Sequence, residues 1–183
     1  MNSHWQYLKY VLRHKWFVFI YGREIGLPFW QLLIHDWTKF LPSEWFPYVD
    51  NFYGDDIDSI TRTEWLRAGL PIIGDWEQFR EKLVNSRQSR FESAWNHHQK
   101  RNPHHWQYWL LTMDTGAEIV LEMPEKYRLE MLADWRGAGR AITGEDNTAD
   151  WYLSNRDKMR LHPNTRSEIE RYLGVHNAGI IKS

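Results

Sequence analysis

The pair His35-Asp36 is the first place in this 183-residue chain where side-chain types suggest chemistry. It closes an apolar run, Phe29-Trp30-Gln31-Leu32-Leu33-Ile34, and Lys39 follows about one helical turn later. An ionised carboxylate in apolar surroundings is costly unless it is paired or holds a cation. A metal ion satisfies an imidazole and a carboxylate together. The chain offers further donors of the same kind: His14, the pairs His97-His98 and His104-His105, and Asp134 within Leu132-Ala133-Asp134-Trp135. Asp114 competes with Asp134 for the last place. Neighbouring side chains on a helix diverge by about 100°, so one member of each histidine pair faces a site, and His98 is the better choice of its pair. The other member faces a second metal, a carboxylate, the substrate or solvent. His162 and His176 read as terminal surface residues. Each candidate has an ordinary alternative: a half-buried surface histidine at 14, a polar helix end at 35–36, polar first-turn residues at 104–105.

There is no cysteine, which excludes disulfides, thiolate zinc sites and cysteine nucleophiles. Any metal is therefore held by imidazole and carboxylate, which suits one or two ions of Mn, Fe, Co, Ni or Zn, with Mg also possible. Lys39 can direct its ammonium at a phosphoryl oxygen, Arg101 is a second phosphate clamp, and Glu44 is a proton shuttle. A surface lysine and a surface arginine are the plain alternatives. Trp37 and Trp106 flank the ligand segments and can stack on a base.

These residues need elements to hold them. Trp5, Leu8, Leu12, Trp16 and Phe19 recur at spacings of three and four and predict a helix over 3–22. Gly22 and Gly26 end it. Pro28 opens a second helix, 28–40, which carries His35, Asp36 and Lys39 and is stopped by Pro42. A short third helix begins at Ser43, its N-cap. Residues 54–74 read as an irregular insertion. A long polar helix covers 76–101, with Phe79, Leu83, Phe91 and Trp95 on its apolar face. Asn102-Pro103 starts a further helix through His105, Trp109 and Met113. Pro124 opens another, with Tyr127, Met131 and Trp135 on one face, Asp134 near its end and Gly137 and Gly139 loosening the backbone beyond. Two terminal helices cover 149–160 and 164–173, and 174–183 is a flexible tail. No strand-like segment stands out. The expectation is a single all-α domain over 1–183, a bundle of roughly seven or eight helices.

The bulk numbers agree with a globular chain: 42% hydrophobic, 26% charged, net charge −1. That balance shows no extended nucleic-acid surface and no membrane-surface character. The basic residues between Trp5 and Tyr21 rule out a signal peptide or membrane span there, so the expected location is the cytoplasm. Twelve tryptophans are unusual; they build core and surface, or line a pocket for a flat substrate. A homo-oligomer is possible if exposed ones form a patch.

The order His14, His35-Asp36, Asp134 resembles the HD-domain metal-dependent phosphohydrolases. That resemblance implies an all-α fold and one or two divalent metals. His35-Asp36-Trp37-Thr38-Lys39 resembles the His-Asp-x-x-Lys form of the branch that hydrolyses cyclic dinucleotides, and His97-His98 its double-histidine element. The Gly-Tyr-Pro element of that branch is missing, with Arg101-Asn102-Pro103-His104-His105 in its place, which argues against a cyclic-di-GMP esterase. Between Asp36 and His97 there is no histidine where two-metal members often have one. Either His104 or His105 takes that role, or the site holds one metal. The chain also resembles a small uncharacterised family of bacterial and phage proteins over residues 5–173, through His35–Phe40, Trp95–His98, Arg101–Trp106, Met123–Tyr127 and Ala133–Trp135.

The expected activity is hydrolysis of a phosphate ester or anhydride on a nucleotide-like small molecule. His14, His35, Asp36 and Asp134 would hold the first metal. Asp36 would bridge to a second, held by His97 or His98 and His104 or His105. Two other classes compete: an HD-type di-iron oxygenase, and a non-enzymatic metal-containing binding protein.

Overall fold

The computed structural model of the chain describes residues 2–54 and 76–175. Among them the fold is all-α, with seven α-helices, short 3-10 turns and one small hairpin. The helices are α1 (Ser3–Glu24), α2 (Phe29–Ile34), α3 (Pro42–Tyr53), α4 (Trp76–Arg101), α5 (Glu125–Thr143), α6 (Thr148–Asn155) and α7 (Pro163–Leu173). No helix of the described residues is long and apolar enough to cross a membrane. The expected irregular insertion and flexible tail lie outside the described residues, apart from Gly54, Gly174 and Val175.

Several expected elements differ, among them the terminal helix over 149–160, which ends at Asn155 and passes into a 3-10 turn, Arg156–Lys158. The helix over 28–40 stops after Ile34: His35 is extended, Asp36 has φ +53°, and Trp37–Phe40 is a 3-10 turn. Pro42 does not simply stop a helix; it stands in the first turn of α3, with Leu41 at the N-cap instead of Ser43. The helix expected from Asn102-Pro103 to Met113 is replaced by a 3-10 turn, Trp106–Trp109, and the strands β1 (Leu110–Thr112) and β2 (Glu118–Val120), paired antiparallel with Leu111 opposite Ile119. Strand-forming residues flank a turn at Asp114-Thr115-Gly116, where Gly116 takes φ +81°, a conformation that glycine adopts without strain. Gly137 and Gly139 lie inside α5, which runs on to Thr143 and ends on left-handed Gly144.

The described residues group into two compact units, one drawn from 2–9, 38–54 and 76–98 and the other from 10–37 and 99–175. The first unit packs aromatics: Tyr7 sits edge-on to Trp45 at 4.8 Å, and Tyr48 meets Phe91 at 5.4 Å. Buried Ala94 and His98 continue the α4 stripe of half-buried Phe79, Leu83, Phe91 and Trp95.

The second unit centres on α5. One face joins Met131 and Leu132 to Met123, Tyr152, Met159 and Ile169; Ala133 joins Val18, Leu27 and Leu32. The inward stripe of α1 is Val11, His14 and Val18 here, continuing from Tyr7, whereas Trp5, Leu12 and Trp16 are exposed. The apolar spacing that announces α1 thus marks its outer face. Gly137 explains how close α1 and α5 come. A Cβ there would lie 2.5 Å from Val18 Cγ2 and 2.8 Å from the Val18 backbone nitrogen. Gly22 likewise leaves room for Leu32, whose Cδ2 would stand 2.3 Å from an added Cβ.

Because backbone, not only a flexible side chain, blocks the space at Gly137, Gly137→Ala must push α1 and α5 apart. The expected cost is about 1–3 kcal/mol, read as a lower midpoint in urea unfolding. An unchanged midpoint would show that the contact is slack.

Candidate metal centre

Four buried donors converge inside the second unit. His14 Nε2 stands 3.1 Å from Asp134 Oδ1 and 3.5 Å from Asp36 Oδ2. His35 Nε2 stands 3.4 Å from each of these oxygens. The four donor atoms lie within 4.8 Å of one another. Ligands about 2.1 Å from a metal stand about 3.0 Å apart in octahedral and about 3.4 Å apart in tetrahedral coordination. The spacings match the edges of such a shell. Both ring nitrogens of His14 and Nε2 of His35 are buried and make no well-directed hydrogen bond among the described residues. Buried polar atoms of this kind call for a partner, and a divalent cation fits all four residues.

Local structure explains the convergence. His14 belongs to the inward stripe of α1, one turn before Val18; Asp134 lies one turn before Gly137 on α5. The Val18–Gly137 approach therefore carries His14 to Asp134. On a continuous helix His35 and Asp36 would diverge. Ending α2 at Ile34 and turning Asp36 left-handed lets both face His14 and Asp134. Aspartate is one of the few non-glycine residues that visit this region readily, and the site occupies the strained backbone. The Lys15 ammonium donates to the carbonyls of His35 and Leu33, capping the end of α2 where cations are favoured.

Asp36 has a second side. Its Oδ1 lies 3.2 Å from His104 Nε2, and Asp36, His104 and His105 offer donor atoms within 4.8 Å of one another. Glu130 then fixes the rings. Its Oε1 is 2.9 Å from His35 Nδ1 and 3.4 Å from His104 Nδ1, while Gln31 donates to Oε2 at 2.6 Å. A carboxylate on Nδ1 sets the tautomer that leaves Nε2 as the donor. Glu130 was not among the sequence candidates. Its signal is the spacing Glu130–Asp134, two carboxylates four apart on one helical face beside apolar Met131-Leu132-Ala133.

The structure thus gathers His14, His35, Asp36, His104, His105 and Asp134. Asp114 is exposed in the hairpin turn, away from the helical position that Asp134 holds. His97 is exposed on α4, as is Arg101 at its end. His98, Glu44 and Lys39 belong to the first unit. There His98 Nδ1 lies 2.8 Å from Glu44 Oε2, to which Thr38 donates at 3.0 Å. All four side chains are buried. Trp106 packs on the core around Met123 and Met131, while Trp37 is exposed. His162 accepts from the Asn164 amide at the start of α7; His176 lies outside the described residues.

The chain belongs to DUF5662, a family of unknown function, whose model matches residues 3–175. No curated protein and no solved structure matches it.

Charge in this site is balanced by protons when no cation is present. Burial opposes protonation of His104, but hydrogen bonds to Asp36 and Glu130 outweigh it and raise its pKa to about 10. His35 is also raised: burial lowers it, and Asp36 more than compensates, with Asp134 and Glu130 adding to the rise. Burial would raise Glu130, yet His104 and His35 bring it down to about 2. Asp134 is held well below the ordinary carboxylate range, since His14 and His35 beside it outweigh its burial.

Two outcomes follow. Glu130→Ala frees two imidazoles and should weaken metal binding by about 10–100-fold, measurable by competition with a chromogenic chelator; unchanged affinity would remove Glu130 from the site. The second concerns pH. A raised folded pKa stabilises below the unfolded value near 6.5, and that contribution disappears as pH climbs toward 10. Chelator-treated protein should therefore lose Tm between about pH 6.5 and 10. A divalent metal, which replaces those protons, should flatten the fall; parallel curves with and without metal would contradict it.

Proposed function

We propose that this protein is a metal-dependent phosphohydrolase acting on a nucleotide or a related phosphate ester or anhydride. The observation that carries this reading is the division of Asp36. Its Oδ2 faces His14 and His35, and its Oδ1 faces His104. A carboxylate placed so could serve two neighbouring cations, one that would be held with His14, His35 and Asp134 and one that would be held with His104 and His105. The donor set, all nitrogen and oxygen, suits Mn, Fe, Co, Ni or Zn, with Mg possible. The chemistry such ions supply when bound is a water pKa brought toward neutrality and Lewis acidity toward phosphoryl oxygens. The reaction class comes from the resemblance of His14, His35-Asp36 and Asp134 to the HD-domain order.

The chain's own residues do the positioning. Glu130 holds the His35 and His104 rings with Nε2 inward, and the left-handed turn at Asp36 presents both of its oxygens. Arg101 is a candidate phosphate clamp at the end of α4. Lys39 and Glu44 belong to the first unit, so the metal-binding half of this reading rests on second-unit residues alone.

The test is a stripped and reloaded protein, given Mn²⁺, Co²⁺, Ni²⁺, Zn²⁺ or Fe²⁺ and assayed without oxygen against a nucleotide panel. Metal-dependent phosphate or nucleoside release is expected. Asp36→Asn and Asp134→Asn should each lower kcat/KM by ~1000-fold, equivalent to about 4 kcal/mol of transition-state stabilisation. No turnover without oxygen, with oxygen consumed on turnover in a parallel aerobic assay, would overturn the hydrolase in favour of the di-iron oxygenase. Tight metal without turnover of any substrate would leave a binding protein.

A further inference from the structure

The outer stripe of α1 and the free face of α2 form one apolar surface. Leu12 is 53% exposed, Trp16 60%, Phe29 47%, Trp30 71%, Leu33 51% and Ile34 61%. Ring contacts join them: Trp16 stacks on Phe19 at 6.3 Å, Phe19 meets Phe29 edge-on at 5.7 Å, and Phe29 meets Trp30 at 5.3 Å. Leu12 and Trp16 are one turn apart on α1, as are Trp30 and Ile34 on α2. Of the six residues of α2, only Leu32 is buried. A helix of this length does not hold itself together. Its anchors are Leu32 in the space left by Gly22, the bonds from Gln31 to Glu130 and the Lys126 carbonyl, and the Lys15 cap.

We infer that this face is the contact surface of a homodimer, with a second copy of the chain as its occupant. With about 150–250 Å² for each aromatic side chain and somewhat less for each aliphatic one, the quoted exposures leave about 700 Å² of apolar surface. A standard interface takes about 800 Å² from each partner, and a specific one needs about 500 Å². Patches on monomers are generally smaller, about 300–600 Å². The composition is that of an interface centre, aromatic and aliphatic without a charged side chain among the six. A two-fold contact places each residue near its own copy's surroundings; the six side chains carry no charge, and the ammonium of Lys15 beside Leu33 is held on the Leu33 and His35 carbonyls. A bilayer is the competing occupant, since α1 carries Arg13, Lys15 and Arg23 beside this face; an apolar area close to what one partner of a stable dimer contributes is what favours a second copy.

The dimer has a consequence for the metal centre that does not depend on which reaction is catalysed there. α2 leads directly into His35 and Asp36. A second copy covering Trp30, Leu33 and Ile34 would hold that end of the helix in place, so that dimerisation and metal binding strengthen each other by linkage.

The experiment is sedimentation-velocity ultracentrifugation of the full chain from 0.5 to 100 µM, with the double variant Trp30→Glu/Ile34→Glu beside it. Both side chains are exposed, so the variant keeps its fold, checked by far-UV circular dichroism. A wild-type dimer whose Kd rises at least 100-fold in the double variant is the expected result, with Ile119→Glu on the hairpin leaving it unchanged. A wild-type monomer at 100 µM overturns the inference, and so does a dimer indifferent to the double variant. Phosphohydrolase activity plays no part in the readout, so failure of the dimer and failure of the proposed reaction are told apart.

Discussion

Two carboxylates, Asp36 and Asp134, and two imidazoles, His14 and His35, share one volume sealed from water, and much of the second unit is arranged to make that tolerable. Charges transferred from water into a protein interior lose several kcal/mol each, and mutual attraction repays this only with close geometry. Here the closest approaches are 3.1–3.5 Å, the spacing that neighbouring ligands take around a cation. In the absence of one, protons do the same work, which is why His104 and His35 hold theirs above the ordinary imidazole range while Glu130 and Asp134 stay ionised below the ordinary carboxylate range. Metal and protons are alternative occupants of the same electrostatic well.

That constraint reaches the backbone. Donors from α1, α5 and the end of α2 meet only if α1 and α5 lie almost in backbone contact, and only if α2 breaks at the right residue. Gly137 permits the first, because any side chain there would run into Val18. The left-handed Asp36 achieves the second, at a conformational cost of the kind that functional sites retain. Lys15 lowers the cost by capping the exposed carbonyls that the break creates. His14 and Lys15, adjacent on α1, therefore serve the same site by different means, one as a donor and the other by holding the loop that carries two more.

Sequence patterns were informative where side-chain type alone sets the outcome. His35-Asp36, His14 and Asp134 were found because ionisable residues among apolar neighbours require partners, and the all-α class followed from spacings of three and four. Periodicity cannot say which face of a helix is covered. On α1 the conspicuous Trp5, Leu12 and Trp16 are exposed, while Tyr7, Val11, His14 and Val18 form the buried stripe; the bulkier residues masked the functional one's phase. The break after Ile34 was missed because nothing in Leu33-Ile34-His35-Asp36 forbids a helix, and the reason for ending it is tertiary. Glu130 was missed for a similar cause: a glutamate in a helix is ordinary until the His35 and His104 rings are seen against it. The hairpin at 110–120 follows from local turn chemistry at Gly116 that competed with an apparent proline helix start.

The two faces of α2 connect these observations. Its inner side gives Leu32 to the core and Gln31 to Glu130, the carboxylate that orients two imidazoles. Its outer side offers Phe29, Trp30, Leu33 and Ile34 to solvent, although solvent is a poor partner for them. A six-residue helix with a single buried side chain has little intrinsic stability, yet it must stop at a defined residue and present His35 and Asp36 in a strained turn. Rigid donor placement is what separates a tight metal site from a loose one, so any contact that fixes α2 from outside also acts on the site within. The apolar surface and the charged centre lie on opposite sides of the same short helix, and the stability of one is a condition for the geometry of the other.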